Sequence, residues 1–84
     1  MIFRKKPSKY KMLKYQVLKL LYESSGMEYE KLHRTLGVSH IILLRVIRSL
    51  YASKDIRKDN KTYKINYPKG YKKMKYYERK YKLH

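Results

Sequence analysis

The chain has 84 residues, which is enough for one compact domain and too few for two. Lys and Arg number 23 against six Asp and Glu, so the formal net charge is +17 and a polyanion is the expected partner. The absence of cysteine excludes disulfides, cysteine-ligated zinc and thiol nucleophiles. No apolar run approaches the roughly 18 to 20 residues of a membrane span, and no signal-peptide segment is present, so we expect an intracellular protein in the cytoplasm or nucleoid.

The basic residues are concentrated at the two ends of the chain. Residues 1–14 carry six basic and no acidic residues, residues 54–84 carry twelve against three, and residues 15–53 are nearly neutral at five against three. The neutral centre also holds most of the Leu, Ile and Val, so it should form the core. We expect a basic N-terminal arm over residues 1–7, a folded domain over 8–67 and a basic, Tyr-rich C-terminal segment over 68–84.

The two basic ends are candidate anchors for a polyanion. Contacts to a nucleic-acid backbone are expected at Arg4, Lys5, Lys6, Lys72 and Lys73. The alternative is that these charges form a solvated surface that keeps a small protein soluble.

Two helices are predicted in the first part of the chain. Pro7 and Ser8 give a start signal, after which apolar residues recur at helical spacing over about residues 8–24. Gly26 is a stop signal, because glycine tolerates the left-handed conformation that ends helices. A second helix is expected over about residues 28–36, with acidic residues near its positive N-terminal end.

The third helix is predicted after Gly37, with Ser39 as its N-cap, and extends to about Ser53. At about 100° per residue, four apolar residues share a sector wide enough to face a core: Leu43, Val46, Ile47 and Leu50. The residues on the opposite side are Ile41, Arg45, Arg48 and Ala52. The two flanks are occupied by Ile42 and Leu44, which we expect to be half-buried.

A β-hairpin is predicted next, because Ile56 is separated from Tyr63 and Ile65 by a polar turn. Three lysines are expected at or near its tip and outer face: Lys58, Lys61 and Lys64. After the hairpin, Tyr and Met recur at helical spacing, which indicates a fourth amphipathic helix or a mobile basic tail. The fold class is therefore mainly α with a small β-hairpin.

The order of these elements, and the stretch "GMEYEKLHRTLGVSHIILLRVIRSLYASKDI" within it, resemble the winged helix-turn-helix family. The pattern "L-x-x-x-L-G-V-S" matches the turn between the second and third helices, and it covers Leu32 to Ser39. Two positions depart from the family pattern: His33 stands where a small residue is usual, and Lys54 where a Gly usually precedes the wing. The Tyr- and Lys-rich composition resembles that of small regulators of hyperthermophilic archaea and their viruses.

The resemblance implies binding of double-stranded DNA, with the third helix in the major groove and the hairpin as a wing beside it. Carried over by position, the groove-facing residues are Ser39, His40, Ile41, Leu44, Arg45 and Arg48. The family often dimerises through a C-terminal helix, so a homodimer is expected, with contacts at Met74, Tyr77 and Tyr81.

Each of these residues also has a structural interpretation without a ligand. Arg45 and Arg48 could be solvated surface residues, and His40 an ordinary exposed histidine. The Tyr and Lys of residues 71–82 resemble a stacking surface for single strands, but such Tyr are more often core or dimer residues.

Function is therefore expected from binding and not from catalysis. No phosphate-binding Gly loop and no convergent carboxylates accompany the histidines, so we expect neither an enzyme nor a metal or other cofactor. The leading hypothesis is sequence-specific binding of double-stranded DNA in transcription regulation. The alternatives are a non-specific architectural DNA-binding protein, and a protein-interaction module that binds a partner such as polymerase.

Overall fold

Four helices and a three-stranded antiparallel sheet make up residues 8–83, the part of the chain that the computed structural model describes. In chain order the elements are α1 (Lys9–Ser24), β1 (Met27–Glu28), α2 (Tyr29–Leu36), α3 (His40–Ala52), β2 (Ile56–Asp59), β3 (Thr62–Ile65) and α4 (Lys69–Tyr81). The prediction of a mainly helical chain with a small hairpin is confirmed. The predicted N-terminal arm lies outside the described residues.

The ends of α1 and α2 follow from the local sequence. The hydroxyl of Ser8 accepts a hydrogen bond from the backbone N–H of Lys11 at 3.1 Å, so Ser8 caps α1, which begins at the predicted start signal. The residue in the left-handed conformation at the end of α1 is Ser25, with φ of 62°, and not Gly26. At the end of α2, Gly37 takes the left-handed conformation, with φ of 63°, which glycine adopts without strain in the tight turn into α3.

The sheet contains one more strand than the predicted hairpin. Strand β3 lies in the middle of the order β1-β3-β2, and Met27 of β1 is paired with Tyr63. Strands β2 and β3 are joined by a two-residue turn at Asn60 and Lys61, in which Asn60 has φ of 57°. The short β1 therefore fastens the chain between α1 and α2 to the half of β3 that lies next to the turn.

One continuous apolar core joins all four helices to the sheet. The stripe predicted for α3 is confirmed, since Leu43, Val46, Ile47 and Leu50 are all buried. Other buried apolar residues come from α1, α2, the hairpin and α4: Leu13, Val17, Leu18, Leu21, Leu32, Ile56, Ile65 and Met74. The neutral centre of the sequence supplies most of this core, but the basic C-terminal segment contributes to it as well.

Helix α4 is part of the folded domain and not a separate segment. Met74 is fully buried and Tyr77 is 8% exposed, so both face the protein's own core. Gly70 is buried where α4 meets the start of β2, and a Cβ there would overlap the carbonyl oxygen of Asp55. This corrects the expectation of dimer contacts: Met74 and Tyr77 have almost no surface for a second copy, and only Tyr81 is partly exposed.

Asp55 is the buried polar residue around which α3, the sheet and α4 meet. Its carboxylate accepts hydrogen bonds from the side chains of Ser53 and Lys73, and its backbone carbonyl accepts one from the N–H of Asn66 at 2.9 Å. Asp55 has no exposed surface; its Oδ2 is paired with Lys73, whereas its Oδ1 has no hydrogen-bond partner among the described residues. Lys73, expected to contact phosphate, is instead the partner of Asp55.

Candidate nucleic-acid interface

The side of α3 that faces away from the core is exposed and cationic. Ile41 is 70% exposed in the first turn of α3, and Arg45 and Arg48 are exposed on the same side further along the helix. Leu44 is half-buried on one flank, as expected. Helix α3 contains no acidic residue, so the arginines are not neutralised from their own helix. We call Ile41, Arg45 and Arg48 the α3 face.

Ile42 departs from its prediction. It was expected to be half-buried on the second flank of α3, but it is 46% exposed. Helical periodicity alone therefore overestimated its burial. Ile41 and Ile42 therefore form a small exposed apolar step at the start of α3, which is a common property of contact sites.

The N-terminus of α3 is held to α2 by ring contacts. Ser39 is the N-cap as predicted, but its side chain makes no capping hydrogen bond. The hydroxyl of Tyr29 lies 2.8 Å from Nδ1 of His40 and 3.3 Å from the carbonyl oxygen of His40. His40 is thus not simply a free exposed histidine, because its ring is tied to Tyr29.

His33 completes this ring cluster between α2 and α3. Its ring stacks on Tyr29 at 6.1 Å and meets His40 edge-on at 5.3 Å between ring centroids. Burial, with a smaller contribution from Tyr63, raises the pKa of Tyr29, so its phenol keeps its proton at neutral pH. The stacking of Tyr29 on His33 was not predicted, although their i,i+4 spacing on α2 indicates that the two rings are neighbours.

A shallow groove joins α3 to the hairpin. Its volume is about 250 Å³, and it is lined by Ile47, Arg48, Tyr51 and Ala52 of α3 and by Lys58 and Tyr63 of the hairpin. Nζ of Lys58 lies 5.3 Å from the ring centroid of Tyr63. Tyr51 is 53% exposed at the rim and was missed as a site residue, because its position on a flank of α3 gave no sign that the hairpin would lie beside it.

The three hairpin lysines do not share one face. Lys58 is paired across the strands with Tyr63, whereas Lys64 is paired with Arg57, so Lys58 and Lys64 lie on opposite faces of the hairpin. Lys64 also forms an ion pair with Asp59 at 3.4 Å. Lys61 is exposed at the tip, and the exposed Arg57 is a further hairpin cation that was not predicted.

The other predicted phosphate contacts have different fates. Arg4, Lys5 and Lys6 lie outside the described residues. Lys72 is exposed on α4.

Two kinds of site are absent from residues 8–83. No cluster of three or more His, Asp or Glu side chains there has an arrangement that could hold a metal ion, although His33 and His40 are adjacent. No helix within the same range is long and apolar enough to cross a membrane.

Comparisons with known proteins returned no match of any kind. No protein-family model matches the chain, and neither the curated proteins nor the solved structures include a match.

Proposed function

We propose that this protein is a winged helix-turn-helix protein that binds double-stranded DNA in a sequence-specific way and regulates transcription. In this proposal the α3 face enters the major groove and the β2–β3 hairpin is the wing. Transcription is regulated by occupation of an operator or promoter.

The observation that carries the proposal is the groove shared by α3 and the hairpin. Arg48 from α3 and Lys58 from the hairpin line the same groove, and no carboxylate lines it. An α-helix such as α3 fits a major groove, and here the cationic hairpin lies beside it. In the proposed complex the hairpin would be next to the phosphate backbone of the duplex.

The order of the elements and the backbone conformation at Lys54 give further support. The order α1-β1-α2-α3-β2-β3 and the strand order β1-β3-β2 agree with the winged architecture. Lys54, which stands where the family usually has Gly, takes a left-handed conformation with φ of 63°. That position therefore has the backbone that glycine favours, although the side chain differs.

The chemistry of the α3 face suits base recognition. An arginine can donate two hydrogen bonds to O6 and N7 of guanine, and each such pair contributes about 1–3 kcal/mol of discrimination. Lys61 at the hairpin tip suits phosphate, which every sequence offers alike. A homodimer remains part of the proposal only through surfaces other than the buried Met74 and Tyr77.

The test is selection of bound sequences from a pool of random duplexes, followed by affinity measurements on the selected site. Arg45→Ala should lose about 1–3 kcal/mol on the preferred site and much less on random duplex, whereas Lys61→Ala should weaken both alike. Lys11→Ala, which removes an exposed charge from α1, is the matched control. Equal losses on both duplexes for Arg45→Ala would remove the claim of base recognition.

Failure to enrich any motif would favour the architectural alternative, in which the charge coats DNA without regard to sequence.

A protein-interaction module is the second candidate, and the exposed Ile41 and Ile42 favour it. Its signature is a copurifying protein that survives nuclease and high salt and is lost in Ile41→Ala/Ile42→Ala. Loss of that protein on nuclease treatment would show that DNA links the two.

A further inference from the structure

A second exposed surface combines tyrosines with cations along the outer side of α4. Its residues are Lys72, Tyr76, Arg79 and Lys80, which lie within about 100° on the outer side of α4, together with Tyr22 of α1 and Tyr67 just before α4, whose rings lie against Tyr71 on one flank of α4. We call these six residues the α4 face. The groove between α3 and the hairpin contains none of them.

The α4 face and the α3 face belong to helices that pack on different sides of α1. The hydroxyl of Tyr10 donates to the backbone carbonyl of Arg45 in α3 at 3.5 Å, whereas the ring of Tyr22 lies 5.4 Å from that of Tyr71 in α4. Tyr10 and Tyr22 are separated by about 120° around α1, at about 100° per residue. The two faces thus share no residue and are supported from different sides of α1.

The α4 face is strongly cationic, because the acidic residue of α4 is compensated internally. Glu78 is 6% exposed, and its carboxylate forms ion pairs with Lys19 at 3.3 Å and Lys75 at 3.2 Å. The side chains of Lys72, Arg79 and Lys80 remain on the exposed side. This charge complements a chain of phosphates.

Three exposed tyrosines accompany the cations. Tyr67 is 62% exposed, Tyr76 48% and Tyr22 37%. The ring of Tyr67 stacks on Tyr71 at 5.9 Å, and Nζ of Lys80 lies 5.4 Å from the ring centroid of Tyr76. These rings present large planar surfaces to solvent that the apolar core does not use.

We propose that the α4 face binds single-stranded DNA. Exposed aromatic rings stack on unpaired bases, and interleaved cations follow the backbone, which together make a binding surface for single strands. A duplex keeps its bases stacked inside and offers the tyrosine rings nothing to stack on. The bases and phosphates of single-stranded DNA match all the groups of this face, and no 2′-hydroxyl is needed.

The test uses the full chain and a fluorescent oligothymidine of about 15 nucleotides, with binding measured by anisotropy. Tyr67→Ala and Tyr76→Ala should each weaken binding roughly tenfold. Tyr67→Phe and Tyr76→Phe keep the ring and should retain wild-type affinity. Because these side chains are exposed, the melting temperature of each variant should stay at the wild-type value.

Gln16→Ala is the control, since Gln16 is an exposed, uncharged residue of α1 that belongs to neither face. It should leave oligothymidine affinity unchanged. Equal loss in Gln16→Ala, or loss in the Phe variants as large as in the Ala variants, would overturn the proposal. So would no oligothymidine binding by the wild type.

Two further arms identify the ligand. If a duplex of the same length lost affinity equally in the Ala variants, the α4 face would be a phosphate surface for duplexes, and the proposal would fail. Binding of oligouridine more than about tenfold tighter than oligothymidine would assign the face to RNA and overturn the assignment to DNA. A wild type that binds oligothymidine but no duplex would refute the proposed function and leave this inference standing.

Discussion

Ile41 lies 70% exposed beside two arginines in a helix that buries its other large aliphatic residues wholly or in part, except Ile42. An isoleucine in that position adds no stability to the free protein, because it leaves apolar area in water. In a major groove the same side chain would meet the 5-methyl group of thymine, the apolar group that the groove presents. The proposal therefore gives Ile41 a role in sequence preference that the arginines cannot fill.

Replacing thymine by uracil in the selected site removes only this methyl group. We expect the wild type to lose about 0.8 kcal/mol, or roughly fourfold in affinity, at the position next to Ile41. Ile41→Ala should bind the thymine and uracil duplexes equally, as measured by titration.

Ile42→Ala is the matched control, because it shortens an exposed isoleucine that lies about 100° away around α3. This variant should keep the preference for thymine. A uracil effect that persists in Ile41→Ala but disappears in Ile42→Ala would show that Ile42 contacts the methyl group, which would contradict the prediction for Ile41.

At the scale of elements, α4 is joined to α1 by a buried carboxylate. The hydroxyl of Tyr15 donates to Oε2 of Glu78 at 2.8 Å, and Lys19 and Lys75 also donate to this carboxylate. Burial alone would raise the pKa of Glu78, but the hydrogen bonds from these three donors outweigh it and hold the pKa below its ordinary value. The charged form of Glu78 therefore stabilises the folded state.

Glu78→Gln should lower the free energy of unfolding by about 1–3 kcal/mol at neutral pH. Because the folded-state pKa is lowered, the contribution of Glu78 is complete above the ordinary glutamate pKa of about 4.3 and disappears as pH falls below it. The difference between wild type and variant, measured by urea unfolding, should shrink in that range.

Glu23→Gln provides the control, because Glu23 is an exposed glutamate on α1. It should change stability little at any pH. A Glu78→Gln deficit that stayed constant down to about pH 3 would contradict the linkage.

The same contact has a limit at high pH. Burial, followed by the hydrogen bond to Glu78, raises the pKa of Tyr15 to about 12. Since the unfolded chain loses this proton near pH 10, stability should decline as pH rises from about 10 towards 12.

What could be predicted from the sequence follows the range of each interaction. The orientation of α3 was predicted correctly at its core stripe and arginines, because helical periodicity depends only on neighbouring residues. Strand β1 was not predicted, since its two residues are a strand only through their pairing with β3. The stripe of Met74 and Tyr77 looks the same whether it faces the protein's own core or a second copy, so the sequence could not decide between them.

The candidate site shows the same division. Lys73 could not be recognised as the partner of Asp55, because that pair depends on how α4 docks. Tyr51 and Lys58 line one groove because the hairpin lies beside that part of α3, which local spacing along the chain does not indicate. Residue type and local spacing thus predicted the exposure of Ile41, Arg45 and Arg48, whereas the pairs of groups that contact each other could be known only from the fold.

At the scale of the whole molecule, half of the six acidic residues form ion pairs with lysines of the same chain. These residues are Asp55, Asp59 and Glu78. The surplus of +17 is thus carried by a surface with few exposed carboxylates. Such a surface binds polyanions by releasing their counterions, which makes affinity depend steeply on salt.

With six to ten phosphate contacts, affinity for duplex DNA should fall roughly a thousandfold or more between about 50 and 200 mM salt. Lys61→Ala should make the slope of log affinity against log salt shallower by about one, because one phosphate contact is lost. The measurement is a series of equilibrium titrations at fixed temperature. A duplex affinity that does not change with salt would contradict this electrostatic account.

Asp55 gives the molecule a property that neither face has by itself. Its contacts to Ser53, Asn66 and Lys73 tie the end of α3, the end of β3 and the start of α4 to one buried residue. The angle between the α3 face and the α4 face is thereby preset. If both faces are occupied as proposed, the protein holds a double helix and a single strand at a fixed angle. It would then prefer junctions at which the duplex opens into its separate strands at that angle.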